Sequence, residues 1–433
     1  DEEADVELPE DTGKVLNIYC WNDEFANRLK DHYPGYEAND PDDALAGGKI
    51  GDVEVKFTST PSTDNAYQNN LDATLPGNAD AAADDKVDMF LVEADYALKY
   101  VNTDLCMSVA DLGIKDSELA NQYQYTKDIM TDTDGNLKGL SWQGCPGVLI
   151  YNREAAKEVF GADDPDTVQA KVSDWDAFQA TAKEVYDASG NKTALTTTLG
   201  GIWQAFAANR STPWVVDDKL AVDDFCNTFI DLAKNMRDNG YVTELNQWTD
   251  EWKAAGQTDD TMGYFVSTWG FGESILLSAA GGEGGATYGK WNVCQGPTPY
   301  YWGGTWICVS PKTDNADMAA NFINYFTVDN TSMKKYALGK PDYVNNMAVM
   351  EEIVSEGSNS NPLLGGQDQF AVLHETGKNI NLNGLITPYD ASIKQAFIDA
   401  VNAYCAGETA DAAACIEDFK DRVAESVTDI TVE

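Results

Sequence analysis

Two short runs, Trp21-Asn22-Asp23-Glu24 and Glu93-Ala94-Asp95-Tyr96, bring carboxylates, an amide and aromatic rings together within four residues each. The face of an aromatic ring is apolar and faintly negative, so it stacks on the C–H face of a pyranose. Neighbouring carboxylates and amides then take paired hydroxyls by hydrogen bonds. Asn22, Asp23, Glu93, Asp95 and Gln143 form the polar candidate set, and Asp64 and Asn65, just after Pro61, are added to it. Arg210, beside Asn209 and near Trp203, offers a planar fork for vicinal hydroxyls or an acidic sugar. The chain has 11 tryptophans and 20 tyrosines, and this aromatic richness favours a sugar over a peptide or a polyamine. Trp21, Trp142, Trp203, Trp269, Trp302 and Trp306 are the candidate stacking rings, because they stand beside glycines or polar residues near predicted strand ends. Core packing competes with that role for every tryptophan. It is the preferred reading for Trp175 and Trp291, and it balances the ligand role for Trp306. For Asp23, Glu93 and Asp95, helix capping or solvated charge is an equal alternative.

The same carboxylates would also suit glycosidic cleavage, with Glu93 paired to Asp23 or Asp95. Hydrolases of that kind commonly place such pairs on barrel strands, and no eightfold strand–helix rhythm runs through the chain. Other chemistries find less support. The two histidines, His32 and His374, have no metal-ligand spacing and read as solvent-facing or locally hydrogen-bonded. Asp132-Thr133-Asp134-Gly135-Asn136 lacks the sixth-position glycine and twelfth-position glutamate of a calcium loop, and reads as a tight Asp-Gly turn between strands. Gly281–Gly285 lacks the Lys-Ser/Thr ending of a phosphate cradle. No cofactor is called for.

The elements that must carry these residues alternate. Val15–Cys20 and Val53–Thr58 read as strands, Val87–Val92 as a buried strand, with helix candidates near Phe25–His32 and Tyr67–Leu75 between them. That is the rhythm of a parallel sheet covered by helices, whose ligands sit beyond the carboxyl ends of the strands. Both polar-aromatic runs fall there. Further on, Asp174-Trp175-Asp176 opens a helix, Val222–Asn239 ends at Gly240 as a helix should, and the last 45 or so residues are helical.

At 433 residues the chain calls for two packed lobes rather than one core. Lys+Arg number 29 against Asp+Glu 72, a net charge of -43, which repels nucleic acid and excludes it as a partner. No run of about 18 apolar residues would span a membrane. Residues 1–13 are acidic and read as a flexible leader or tether. None of the eight cysteines forms a CxxC pair. A local Cys405–Cys415 or Cys294–Cys308 bridge and free buried thiols both remain open.

The order of segments resembles the family 1 extracellular solute-binding proteins, the maltose-binding-protein-like group, over nearly all of 14–428. Trp21-Asn22-Asp23 after the first strand, Asp88–Tyr96, Gly139–Tyr151 with its Tyr151-Asn152 end, and Asp174-Trp175-Asp176-Ala177-Phe178 carry the likeness. So do Tyr264–Gly270 and Tyr300–Val309 with the helix after it. The chain departs from the pattern at Ser141, where proline is common, and in an unusually long acidic loop at 33–51. The resemblance implies an α/β, two-lobed, periplasmic-binding-protein-like fold with a ligand cleft between lobes joined by hinge strands. The lobes would hold 14–140 plus 302–345 and 141–301 plus 346–433. It further implies a monomeric carbohydrate carrier outside the cytoplasmic membrane, lipid-anchored or periplasmic. Such a carrier docks on the permease subunits of an ABC transporter and does no chemistry on its cargo. A surface lectin without a transporter is the remaining alternative.

Overall fold

The structure, a computed structural model, describes residues 6–272, 275–339, 342–357 and 359–433. Twelve strands occur among them. The first six are β1 (Val15–Cys20), β2 (Tyr36–Ala38), β3 (Gly48–Ile50), β4 (Val53–Ser59), β5 (Met89–Glu93) and β6 (Leu140–Ser141). The others are β7 (Gly147–Asn152), β8 (Val215–Val216), β9 (Lys219–Leu220), β10 (Gly263–Ser267), β11 (Trp291–Cys294) and β12 (Thr305–Val309). The chain divides into two compact α/β units. One comprises Asp1–Gln143 and Gly303–Val349, the other Gly144–Trp302 and Met350–Glu433. In this division the backbone passes from unit to unit at 143/144, 302/303 and 349/350.

The first unit is built on a seven-stranded mixed sheet in the order β2-β3-β4-β1-β5-β12-β6. Its centre is parallel: β1 runs beside β4 and β5 with Ile18 opposite Phe57 and Met89. β12 enters antiparallel, with Thr305 opposite Glu93 and Val309 opposite Met89. The near-continuous apolar residues of β5 and β12 fit strands covered on both faces, and every residue of β12 is buried. The acidic stretch expected as a loop at 33–51 is instead an edge hairpin, β2 against β3. Glu37 lies on the edge strand itself, opposite Lys49, where charge discourages pairing with another chain.

The leader is also more ordered than its composition implied. Thr12 and Gly13 N–H donate to the Asp314 carbonyl, and the Asp11 carboxylate accepts from the N–H groups of Asp317 and Met318. Asp11 thus satisfies two orphan donors at the start of the Ala316–Thr327 helix, where a negative charge is also favoured. Residues 1–5 of the expected leader lie outside the described residues.

The second unit has a three-stranded sheet, β10-β7-β11, antiparallel throughout, and a small β8-β9 hairpin. Helices supply most of its core. In the Asp390–Cys405 helix Ile393, Ala396, Phe397, Ala400 and Val401 recur at helical spacing and are buried, a stripe that packs onto Trp203, Trp214, Phe229 and Phe419. Each such aromatic contributes about 1.5–3 kcal/mol by burial. Aspartates start the flanking helices: Asp174 accepts from Ala177 N–H at 2.8 Å and Asp411 from Ala414 N–H at 2.9 Å.

All eight cysteines are buried free thiols, so neither bridge is formed. Burial pushes the Cys294 and Cys415 thiols up to about 12. His374 is buried rather than solvent-facing, and burial lowers its pKa. The Asp132 turn is closed on itself, with its carboxylate accepting from Asp134 and Asn136 N–H at 3.0 and 2.7 Å. It follows the Gln124–Met130 helix and not a strand.

Candidate functional site

Because β1, β4 and β5 are parallel, their carboxyl ends finish on one edge of the first unit's sheet. Three segments leave that edge: Trp21–Glu24, the turn at 60–65 and Glu93–Tyr96. Tyr67, at the start of the Ala66–Thr74 helix, fixes the corner between them. Its hydroxyl lies 2.9 Å from the Tyr19 carbonyl and 2.7 Å from the Leu91 carbonyl, and accepts from Leu91 N–H at 3.2 Å. The partly buried Trp21 ring rests edge-on against Tyr67 at 5.5 Å and against Tyr96 at 6.1 Å. The Tyr96 hydroxyl is buried and has no hydrogen-bond partner among the described residues.

Glu93 is partly buried and its Oε2 accepts from Asp95 N–H at 2.8 Å. Burial, and then the Asp95 carboxylate beside it, push Glu93 well above the usual carboxylate range. A glutamic acid that keeps its proton can donate to a hydroxyl as well as accept from one. Asp95 itself is exposed. Asn22 and Asp23 are exposed too, and the Asp23 side chain makes no cap hydrogen bond to the Glu24–His32 helix. Asn22 Oδ1 accepts from the N–H of Glu24, the first residue of that helix, at 3.1 Å. Asp64 and Asn65 are exposed in the left-handed region at φ 52° and 58°, which Asp and Asn tolerate better than most residues.

Gln143 is brought to the same unit's polar edge by a partner that sequence reasoning passed over. Its Nε2 donates to Glu24 Oε1, and Glu24 also pairs with Arg28, which is bonded to Asp342. Burial first, and then Asp342, raise the Glu24 pKa against the lowering effect of Arg28. Burial alone would lower Arg28, but Asp342 and Glu24 outweigh it and hold the guanidinium above its ordinary value.

The second unit places a tryptophan cluster beyond the end of β10. Trp269 sits in the single turn Thr268–Phe271, and Gly270 follows it because a Cβ there would come within 2.8 Å of the Val266 side chain. Trp269 Nε1 donates to the Trp302 carbonyl at 3.0 Å, and the two rings meet nearly perpendicular at 5.2 Å and 85°. Trp302, expected to face a ligand, is instead buried in the second unit's core, its N–H donating to the Cys145 carbonyl at 3.1 Å. Trp248, absent from the sequence-based set, packs on Trp269 at 5.4 Å, on Trp302 at 5.7 Å and on Trp252 at 5.3 Å. It stands beside no glycine and ends no predicted strand, which is why the pattern missed it. Trp252 anchors the group from below, with Nε1 donating to Thr197 Oγ1 at 2.9 Å.

Four further candidates are corrected by their surroundings. Trp142 is fully buried, stacked on Phe25 at 5.3 Å and 17° under the Arg28 guanidinium. Trp306 is buried on β12 and its Nε1 donates to the Thr126 carbonyl at 2.9 Å. Trp203 lies in the second unit's core against Phe229 at 4.8 Å. Arg210 is buried over the Trp214 ring at 3.7 Å and bonded to Asp223 and to the Ala221 and Pro213 carbonyls. Its fork is occupied by the protein itself. The four are held by core contacts that leave their faces to the fold.

These units are those of the two-lobed periplasmic-binding-protein-like class. A solved family 1 extracellular solute-binding protein superposes with TM-score 0.76 at 18% identity over 95% of this chain and 99% of that one. The ABC-transporter-associated binding protein of B. animalis subsp. lactis Bl-04, in complex with beta-1,6-galactobiose, gives 0.68 at 17% over 96% and 97%. The galacto-N-biose/lacto-N-biose I-binding protein of the Bifidobacterium longum ABC transporter, in complex with lacto-N-biose, gives 0.67 at 16% over 98% and 100%. A comparison with curated proteins finds no match. The bacterial extracellular solute-binding protein family matches residues 46–362, and the chain belongs to it. Among the described residues no helix is long and apolar enough to cross a membrane.

Proposed function

We propose that this protein binds a carbohydrate, an oligosaccharide of at least two residues, outside the cytoplasmic membrane and hands it unchanged to an ABC importer. The observation that carries the reading is the pairing of chemistries in a solute-binding chain. The first unit offers hydroxyl-bonding groups around one ring, Trp21; the second offers a cluster of rings around Trp269. Stacking and hydrogen bonding together are what a pyranose asks for. The disaccharides held by the two bifidobacterial proteins support the same class of cargo.

In this reading contacts made only in the ligand-bound conformation supply the differential affinity that shifts the population. The loaded monomer then docks on the permease subunits. Binding and release need no bond to be made or broken, so the carboxylates act as hydrogen-bonding groups and not as an acid–base pair.

The test is a thermal-shift screen against α- and β-linked oligosaccharides, monosaccharides, polyamines and short peptides, with recovery of the ligand. Ligand at 100 times its Kd adds about 2.7 kcal/mol to the folded state. A selective rise with one glycan series, recovered intact, is the expected result. A rise confined to polyamines or peptides overturns the carbohydrate reading, and cleavage of the glycan overturns transport.

A further inference from the structure

Among the aromatic residues of the second unit, Trp248 is held against two penalties at once. Its backbone lies at φ 74°, the left-handed region in which a bulky L-residue is strained. Its side chain is 51% exposed, the largest exposed apolar ring in the described chain. A tryptophan serving only the fold would be expected to relieve one or the other. The fold does not need the ring as a plug, since Trp252 beneath it is already buried and hydrogen-bonded. The preceding residue adds a third sign: Gln247 Nε2 is buried and has no hydrogen-bond partner among the described residues. Gln247 Oε1 sits 2.4 Å from where a Cβ on Gly200 would lie, so the amide reaches its place only because that position is glycine.

We propose that Trp248 is a ligand-contacting residue of this carbohydrate site, its exposed face forming an outer wall beside the partly buried Trp269, with the Gln247 amide behind it. The inference rests on the carbohydrate reading above. Trp248 meets the partly buried Trp269 at 40°, so the two rings form adjoining walls and not one flat platform, and the buried Trp302 packs against both. Adjoining walls hold one sugar residue by a face and an edge together, which selects for a compact end residue over a flat, continuous stack. Backbone strain clusters where the surrounding structure has a use for it, and here that use is to turn an indole outward.

The experiment compares W248A, W248G and W248F with the wild-type protein by calorimetry against the glycan found in the screen, together with their melting points. W248A and W248G should bind at least about tenfold more weakly, and W248F should recover most of the affinity. W248G should melt above W248A, since glycine relieves a left-handed position that alanine does not. Affinity of W248A and W248G within twofold of wild type overturns the ligand role. A W248A melting point equal to or above that of W248G overturns the strain. Should W248A not fold, W248G and W248F carry the binding comparison. A wild-type protein that binds no carbohydrate fails the reading on which this rests, an outcome distinct from a wild-type protein that binds and variants that bind equally.

Discussion

The sheet edge of the first unit and the tryptophan cluster of the second present different chemistries. At the first edge, side chains with hydrogen-bonding capacity outnumber rings, and several are unused by the fold: Asp23 caps nothing and the Tyr96 hydroxyl has no partner among the described residues. In the second unit the rings outnumber the polar groups, and they are locked to one another and to the backbone through Trp269 Nε1 and Trp252 Nε1. The first region is therefore electrostatic and sensitive to protons, whereas the second is apolar and geometric. Affinity should come mainly from the second and selectivity among hydroxyl patterns from the first, because an unpaired buried polar group costs more than a missing methylene.

That division can be tested from its edges inward. The largest expected effect is on stability and lies outside both regions. Trp203→Ala should cost about 3–5 kcal/mol of unfolding free energy by leaving a cavity among Phe225, Phe229 and Phe397. Ligand affinity of the folded fraction should be unchanged. A selective loss of binding with normal denaturant stability would return Trp203 to the site. Next, Trp269→Ala should weaken glycan binding by more than about 1 kcal/mol, roughly fivefold or more, while circular dichroism stays native. Equal calorimetric affinity would remove the tryptophan cluster from recognition.

Trp21→Ala should cost less affinity than Trp269→Ala, about 0.5–1 kcal/mol, because a single ring edge-packed on Tyr67 and Tyr96 carries less of the stacking. A larger loss than that of Trp269→Ala reverses the assignment of affinity to the second unit. The smallest effect is the most specific. Glu93 has a higher pKa folded than unfolded, so the folded state binds its proton more tightly. Its contribution to stability is complete below the unfolded glutamate pKa and is lost as pH rises through the raised folded value. Glu93→Gln should therefore be more stable than wild type near neutral pH, with the difference vanishing in acid. Urea midpoints measured across pH that stay parallel for the two proteins would contradict this. Trp269→Ala should leave that pH slope untouched.

Much of the first region was legible in the sequence because its logic is local. An alternation of apolar runs and helical stretches around Val15–Cys20 and Val87–Val92 announces parallel strands, and parallel strands put the residues after Cys20 and Val92 on one edge. What the sequence left open was which aromatic rings face outward. Trp142, Trp203 and Trp306 stand beside polar residues or turn glycines just as Trp269 does, yet they are buried by partners far along the chain: Phe25, Phe397 and the Thr126 carbonyl. Arg210 looked like a free fork until Asp223 and the Ala221 carbonyl occupied it. Conversely, Trp248 carries no local signal, and only a left-handed backbone beside Trp269 marks it.

The sequence by itself therefore determined the two-unit α/β character and the strand ends that carry polar-aromatic runs. These follow from periodicity and composition, which are properties of neighbouring residues. The tertiary structure alone decided the burial of individual tryptophans, the raised proton affinity of Glu93 and the tie from Gln143 to Glu24. Those depend on which distant segments come to share a few ångströms of low-dielectric space, and no pattern of neighbouring residues encodes that distance.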